Sequence, residues 1–390
     1  MKVLFITTWY PRKDNPVSGV FVRELAKAVS RNDEVRVLHG YLEKRLDKIY
    51  DYSHEKENGF EVIRVMYRGL FSVFSYPVYM FSMIQTFRKI KRDFMPDIIH
   101  AHVYKSGLIG IILRKFYGIP LVVTEHAEIT DPYRKGFSQK IKNILAIAVA
   151  RFVLNNADLL ILPSESIRNY LESFGIKNRC VIVQNVVNTD AFHIVSTSKK
   201  NEIKRLLFVG ELAPRKGITY LLKALGLLKN KRKDFILDII GYGSHEEEYK
   251  KLAWNLGISS IVRFGGRKNK KEVAELMQKC DFLVLPSLYE PFGVVLIEAM
   301  ACGKPVISTL SGGPKEFVNE KRGILVPPRD SEALAEAIEY MLDHHQEYDQ
   351  EEIARYVRER FSYDAVGMQL HNVYVNLMED NNGTKNSQKR

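Results

Sequence analysis

The hydrophobic positions of this chain form short continuous runs that alternate with longer stretches of helical periodicity. Runs of this kind are typical of strands buried on both faces of a parallel sheet. Their alternation with helices predicts a doubly wound α/β domain in the first half. The predicted strands there are residues 3–8, 35–39, 61–66, 98–100, 121–124, 159–162 and 181–184, and the predicted helices are 20–30, 106–117, 138–155 and 164–174.

The same pattern restarts near residue 205 and predicts a second α/β domain. Its predicted strands are 206–209, 235–240, 261–264, 282–285, 305–308 and 324–326, and its predicted helices are 218–228, 246–256, 271–280, 294–301 and 331–342. We therefore expect two doubly wound, Rossmann-like domains facing across a cleft. Ligands of such sheets bind beyond the carboxyl ends of the strands, so function is expected on the loops that follow them.

Polar segments suggest where the domains begin and end. The run of Ser, Thr, Lys and Asn at 196–201 predicts a linker over 188–204, between an N-terminal domain at 1–187 and a C-terminal domain at 205–362. The last helical pattern, at 363–378, is expected to cross back to the N-terminal domain. The polar residues 379–390 are expected to form a disordered tail.

Charge is unevenly distributed along the chain. Residues 1–190 hold 28 Lys and Arg against 19 Asp and Glu, whereas 191–390 hold 30 against 27. A basic first half fits an anionic partner such as a membrane surface, and no nucleic-acid-binding motif accompanies the charge. Three scattered cysteines, together with a short N-terminal apolar run that lacks a cleavage site, predict a cytoplasmic protein.

One uncharged segment, residues 69–87, has basic residues on both sides. Its serines, proline, glutamine and threonine argue against a membrane-spanning helix. Two hypotheses remain open. The segment is a helix packed on the domain core, or it lies in a bilayer interface with its basic flanks on acidic headgroups.

The segment with the most chemical content is 287–328. A predicted strand ends before it, and a predicted helix begins near Gly293, with Val294 and Val295 in its first turn. Glycine lets a ligand approach the backbone, and the first N–H groups of a helix carry about half a positive charge, so a phosphate site is predicted. Glu290 and Glu298 are spaced to hold hydroxyls of a sugar and a ribose. Each of them alone is equally compatible with a solvated carboxylate.

Several motifs now resemble those of family 4 glycosyltransferases, which share the GT-B fold. The run EPFG…EAMACGKPV at 290–306 is similar to the family signature. The run FVGELAPRKG at 208–217 resembles its phosphate-binding loop, and Gly241-Tyr242-Gly243 resembles the glycine pair that follows. GGPKE at 312–316 and GILVPPRD at 323–330 match later elements, and the resemblance runs from PVSGVFV at 16–22 to the final helix.

The resemblance implies transfer of a sugar from a UDP- or GDP-sugar donor with retention of anomeric configuration. The chain contains no Asp-x-Asp, so no metal and no other cofactor is expected. Catalytic roles are implied for His126, Glu290 and Lys216. Donor-binding roles are implied for Gly19, Arg215, Lys216, Gly241, Gly293, Val294, Val295 and Glu298.

Two positions of this chain depart from the family pattern, and the roles of two histidines stay open. Glu211 stands where family members often have arginine, and Asn185-Val186-Val187-Asn188 stands where the family usually has Asn-Gly-Val-Asp. Either Arg215 replaces the missing cation or Lys216 carries more of the donor affinity. His100 and His102 follow a strand, and we interpret them as structural or as contacts on the acceptor side.

The function predicted is a retaining hexosyltransferase that acts on a glycan or lipid-linked acceptor in polysaccharide biosynthesis. Its expected location is the cytoplasm, peripherally at the inner face of the membrane. Two alternatives stay open on sequence alone. One is a non-catalytic scaffold that binds glycans or membranes, and the other is a sugar-nucleotide epimerase.

Overall fold

A computed structural model describes residues 1–57, 59–69, 71–126, 129–130, 137–195 and 202–387. The chain divides into two compact units. Unit 1 comprises Met1–Val186 together with the segment that begins at Tyr363, and unit 2 comprises Val187–Ser362. Residues 196–201 of the expected linker lie outside the described residues.

The described residues of unit 1 form eight strands and five helices before the chain leaves the unit. Their bounds are β1 (Lys2–Thr7), α1 (Val20–Val29), β2 (Glu34–Leu42), β3 (Tyr50–Glu57), β4 (Phe60–Tyr67), α2 (Phe71–Ile90), β5 (Ile98–His102), α3 (Tyr104–Tyr117), β6 (Leu121–Thr124), α4 (Phe137–Asn156), β7 (Leu159–Leu162), α5 (Glu165–Ser173) and β8 (Cys180–Ile182). The strand order is β3-β4-β2-β1-β5-β6-β7-β8. All neighbours pair in parallel except β3 with β4.

Strand β3 is absent from the sequence prediction. It pairs antiparallel with β4 at the edge of the sheet, and its residues are partly or fully exposed. Edge strands keep many polar side chains because one edge and one face meet water. Its apolar signal is therefore weak, and only Tyr50 and Tyr52 mark the side that packs on the core.

Helix α2 contains residues 71–87 of the uncharged segment and packs on the core. Tyr79, Met83 and Phe87, spaced four residues apart on one face, are fully buried. These contacts agree with the core-helix hypothesis; residue 70 lies outside the described part. Within the residues that the structure describes, none of the helices combines the length and apolarity needed to cross a bilayer.

Unit 2 is a six-stranded, all-parallel sheet with helices. Its elements are β9 (Lys204–Val209), α6 (Ile218–Leu228), β10 (Phe235–Ile240), α7 (Glu246–Asn255), β11 (Val262–Gly266), α8 (Lys270–Lys279), β12 (Phe282–Leu285), α9 (Val294–Ala301), β13 (Val306–Thr309), β14 (Gly323–Val326), α10 (Ser331–His344) and α11 (Gln350–Phe361). The strand order is β11-β10-β9-β12-β13-β14. The order reverses between β9 and β12, and ligands of such sheets bind beyond the strand ends at that reversal.

The last helix, α12 (Tyr363–Ser387), belongs to unit 1 and packs on α1. The phenol of Tyr363 hydrogen-bonds to the carboxylate of Glu24, and His371 lies 3.0 Å from Asp33. The sequence predicted disorder from residue 379, but the helix continues to Ser387. Within this extension, Arg179 donates to Asp380 at 2.5 Å. Residues 388–390 lie outside the described part.

Candidate active site

The loop after β12 holds the first buried carboxylate of unit 2. Ser287 and Glu290 are both buried, and Ser287 Oγ donates to Glu290 Oε2 at 2.9 Å. The backbone of Glu290 exchanges hydrogen bonds with the Ser311–Gly313 segment, because its N–H donates to Ser311 and its carbonyl accepts from Gly313. The carboxylate is therefore fixed from both sides at the carboxyl end of the sheet.

Lys216 reaches the same carboxylate from a different loop. Its Nζ lies 2.6 Å from Glu290 Oε2, and the side chains of Lys216 and Glu290 are 13% and 9% exposed. The two loops are also joined by the N–H of Leu288, which donates to the carbonyl of Arg215 at 2.8 Å. The structure thus brings together two of the three residues predicted to be catalytic.

Glycine makes this approach of loops feasible. Gly217 follows Lys216 with φ of +70°, and a Cβ there would lie 1.9 Å from the carbonyl oxygen of Pro286. Gly241, at the end of β10, has φ of +153°, and a Cβ there would lie 1.8 Å from the carbonyl oxygen of Gly210. Any side chain at either position would push neighbouring strand ends apart.

Helix α9 begins at Gly293 in the same loop. Gly293 has φ of +96°, and no side chain caps the helix start. The first N–H groups of a helix lack intrahelical partners, so those around Val294 and Val295 are oriented to bind an anion. Farther along α9, the buried carboxylate of Glu298 hydrogen-bonds to Lys270 Nζ.

The second predicted cation of the loop, Arg215, is engaged differently. Its Nη2 donates to Glu211 Oε2 at 2.6 Å, and the two side chains are 40% and 54% exposed. An exposed pair of this kind contributes little free energy, on the order of 0–1 kcal/mol. Glu211 therefore removes a cation and also occupies the nearby guanidinium.

Unit 1 has a separate cluster of buried histidines at the carboxyl ends of its strands. His102 Nδ1 and His126 Nε2 lie 3.0 Å apart, and the two rings stack. His126 also contacts Phe21 of α1 at a centroid distance of 4.3 Å. His100 instead bonds to Tyr374 at 2.7 Å and to Thr124 at 2.6 Å, which indicates a structural role.

Burial keeps these histidines neutral. Desolvation lowers the pKa of His100 and of His126 to about 3, and it lowers the pKa of His102 well below its usual value. Within the described residues, His126 Nδ1 and His102 Nε2 are buried without hydrogen-bond partners. Since one ring must donate to the other, His126 Nδ1 is a donor in one tautomer pair and an acceptor in the other. Either way His126 offers one unpaired ring nitrogen.

Two backbone features shape this end of unit 1. Gly19, with φ of +63°, precedes α1, and a Cβ there would lie 2.2 Å from the carbonyl carbon of Trp9. Val103 follows His102 with φ of +62° and ψ of +151°, a conformation that is essentially reserved for glycine. Strained residues of this kind cluster at functional sites.

Three of these residues were not indicated by any sequence pattern. Ser287 and Lys270 bind the two predicted carboxylates, and Val103 fixes the turn after the histidine pair. Lys270 is the first residue of α8, far from Glu298 in sequence, so only the tertiary structure reveals the pair. A β-branched residue in a glycine conformation also carries no sequence signal.

The fold and these sites define the class of protein. Two Rossmann-like units, each with buried polar side chains at the carboxyl end of its sheet, match the domain content predicted for the GT-B fold. Two family models together match nearly all of the chain. The model for Glycosyltransferase Family 4 matches residues 18–191, and the model for Glycosyl transferases group 1 matches residues 190–360.

A sequence relative supports the same family. An uncharacterized glycosyltransferase of Methanocaldococcus jannaschii is 30% identical over 292 residues, which cover 73% of this chain and 76% of that protein. The chain belongs to glycosyltransferase family 4 and is a glycosyltransferase. The predicted family and enzyme class are confirmed.

Solved structures share the fold. Sucrose-phosphate synthase from Thermosynechococcus elongatus superimposes with a TM-score of 0.79 at 23% identity, covering 97% of this chain and 99% of that one. The Anabaena protein HepE in complex with UDP and glucose superimposes with a TM-score of 0.75 at 20% identity, covering 96% and 100%. The predicted GT-B architecture is confirmed.

Proposed function

We propose that this glycosyltransferase moves a sugar from a nucleotide-sugar to a glycan or lipid-linked acceptor, with retention and without a metal ion. The observation that carries the proposal is the buried pair that Lys216, in the loop before α6, forms with Glu290, in the loop before α9. A diphosphate needs cationic and N–H donors, and these two loops together supply both.

Few groups in this arrangement neutralise the negative charge of the donor diphosphate. An ammonium has three N–H donors, so Lys216 can keep its bond to Glu290 and still donate to phosphate oxygens. The start of α9 adds about half a positive charge. With no Asp-x-Asp in the chain, these groups are proposed to stabilise the leaving diphosphate as the glycosidic bond breaks.

Bond changes in the proposed step are simple. The bond between the sugar C1 and the phosphate oxygen breaks, and a bond between C1 and the acceptor oxygen forms on the same face. The acceptor proton goes to the departing phosphate oxygen. Glu290 is proposed to position donor-sugar hydroxyls, and Glu298 the ribose. His126, neutral at pH 7, is proposed to hydrogen-bond to the donor sugar rather than to transfer a proton.

The HepE complex contains UDP, so UDP-sugars are the first donors proposed for this chain, with GDP-sugars second. The cysteine usage and the basic first half support work in the cytoplasm, at the inner face of the membrane. The acceptor is then expected to be a surface-polysaccharide precursor or another lipid-linked glycan.

A donor panel tests the proposal. UDP-, GDP- and ADP-sugars are incubated with the protein and candidate acceptors, and nucleotide release is measured with and without EDTA. Release with one donor class, unchanged by EDTA, is the expected result. The product anomer is then determined by NMR, and inversion would contradict the mechanism. The Lys216→Ala variant is assayed in the same way, and release of nucleotide should fall. Lys223→Ala, which alters an exposed lysine on α6, is its matched control.

A further inference from the structure

Helix α4 of unit 1 has two apolar faces, and only one is used by the core. Ala150, Val153 and Leu154 are fully buried beneath it. On the opposite side, large apolar side chains face solvent. Their exposed fractions are 46% for Ile141, 65% for Ile144, 61% for Leu145 and 52% for Phe152.

These four side chains form one continuous stripe. At 100° per residue, positions 141, 144, 145 and 152 fall within about 100° of the helix circumference. The exposed Ala148 lies between them. We call Ile141, Ile144, Leu145, Ala148 and Phe152 the outer face of α4. Contiguous exposed apolar surface of this kind marks an interaction site, whereas a single exposed apolar side chain does not.

Basic residues flank the outer face on both edges. By the same helical spacing, Lys140 and Arg151 lie along one edge and Lys142 along the other, and all three are exposed. The helix Phe137–Asn156 contains no Asp or Glu. An apolar stripe bordered by cations is the arrangement of helices that lie in the headgroup region of anionic bilayers.

We propose that the outer face of α4 binds an anionic lipid surface. Charge argues for this occupant over a second copy of the chain. In a two-fold dimer the same patch meets itself, so Lys140, Lys142 and Arg151 would face their own counterparts. An anionic bilayer instead neutralises these cations and buries the stripe. The site also differs from residues 69–87, because α2 directs Tyr79, Met83 and Phe87 into the core.

The outer face of α4 is thus the surface for the membrane association that belongs to the proposed function, and the proposal rests on that function. Its test uses no sugar substrate, so its failure and that of the transferase proposal are distinguishable. Full-length protein is sedimented with phosphatidylcholine vesicles that contain or lack phosphatidylglycerol, at low and high salt. Binding only to the anionic vesicles, weakened by salt, is expected.

Variants locate the contact. Ile144→Ser with Leu145→Ser should weaken vesicle binding at least about tenfold, because two apolar anchors are lost. Lys140→Glu with Lys142→Glu should abolish the preference for anionic vesicles. Trp254→Ser, at a 75% exposed residue on α7, and Phe81→Ser, at a 49% exposed residue on α2, are matched controls that should bind normally.

Since the altered α4 side chains are exposed, circular dichroism and donor hydrolysis by the two double variants should match wild type. Three results would overturn the proposal. They are unchanged binding by the Ile144/Leu145 variant, equal binding to uncharged vesicles, and a wild-type dimer in sedimentation velocity that the same variant converts to monomer.

Discussion

Lys216 Nζ and Glu290 Oε2 lie 2.6 Å apart in a largely buried environment. Buried ion pairs gain little net stability over apolar substitutes, yet removal of one partner leaves an uncompensated charge. The pair therefore couples two properties, the folding of the loop and the proposed binding of a diphosphate.

A variant pair separates those properties. Lys216→Met should lower the free energy of unfolding by about 3 kcal/mol, because Glu290 loses its partner. It should also weaken nucleotide-sugar binding by about 1.5–3 kcal/mol, the range for a charge-assisted hydrogen bond. Adding Glu290→Gln should restore stability but not binding. Denaturant unfolding and titration calorimetry measure the two effects, and unchanged donor affinity in Lys216→Met would remove Lys216 from the site.

Disruption of the exposed ion pair between Arg215 and Glu211 is predicted to increase the affinity for nucleotide. Glu211→Gln releases the guanidinium and removes a negative charge, so nucleotide affinity should rise about two- to fivefold at low salt, within the range for exposed pairs. High salt should erase the gain. Arg215→Ala should remove it when added to Glu211→Gln. Affinity that stays flat in both variants at low salt would show that Arg215 does not contact the donor.

Gly217 and Gly118 form a matched pair for testing loop geometry. Their φ angles are +70° and +69°, but a Cβ at Gly217 would meet the Pro286 oxygen at 1.9 Å, whereas a Cβ at Gly118 has no atom within 4 Å. Gly118→Ala should cost about 1 kcal/mol for the left-handed conformation. Gly217→Ala should cost more and also weaken donor binding. Equal thermal shifts in the two variants would argue against the tight loop.

At Val103, the usual order of stability between alanine and glycine variants should be reversed. Val103→Ala removes two buried methyl groups and keeps the positive φ, whereas Val103→Gly also removes the β-carbon but relieves strain of about 1–3 kcal/mol. Glycine should therefore be more stable than alanine here, although it normally costs about 0.5–1 kcal/mol more. Chemical denaturation of both variants measures the order, and the ordinary order would mean that the backbone is unstrained.

Buried neutral histidines predict sensitivity to acid. The pKa of His39, His100 and His126 falls to about 3 in the folded protein through desolvation. In the unfolded chain these groups bind protons below about pH 6.5. The unfolded state therefore binds more protons between pH 6.5 and 3, and the free energy of unfolding falls as pH is lowered through that range.

Each such histidine contributes up to about 1.4 kcal/mol per pH unit in that range. Thermal unfolding at roughly pH 7.5, as a reference above that range, and at roughly pH 6, 5 and 4 within it measures the slope. His100→Gln keeps a side chain able to reach Tyr374 and should make the slope shallower. A melting temperature that does not change with pH would contradict the buried, neutral assignment.

Much of the fold follows from local pattern. Continuous apolar runs identified the strands buried on both faces, such as β6 and β12, with the bounds that the structure shows. The pattern failed where tertiary context decides. Strand β3 is polar because it lies at a sheet edge, and α11 was missing from the prediction. The tail after Met378 continues α12 to Ser387, although its polar residues carry no apolar helical pattern.

The candidate site was only partly predictable, because contacts between its side chains depend on tertiary structure. Motif spacing identified Glu290 and Lys216, but no spacing rule indicates that they share a hydrogen bond. Arg215 was expected to be available to the donor, and its partner Glu211 became apparent only from the side-chain geometry. The pair of Lys216 and Glu290 depends on which two loops meet, whereas Arg215 and Glu211 lie four residues apart and pair through the local conformation of one loop.

Helix α12 completes unit 1 with the last residues of the chain. During translation, α1 and β1–β8 leave the ribosome long before this helix, and all of unit 2 is synthesised in between. Until α12 arrives, Glu24, Asp33 and His100 lack their bonds to Tyr363, His371 and Tyr374. The N-terminal half of the protein is thus made first but finished last, and a nascent chain that stops before Tyr363 lacks these three bonds from α12.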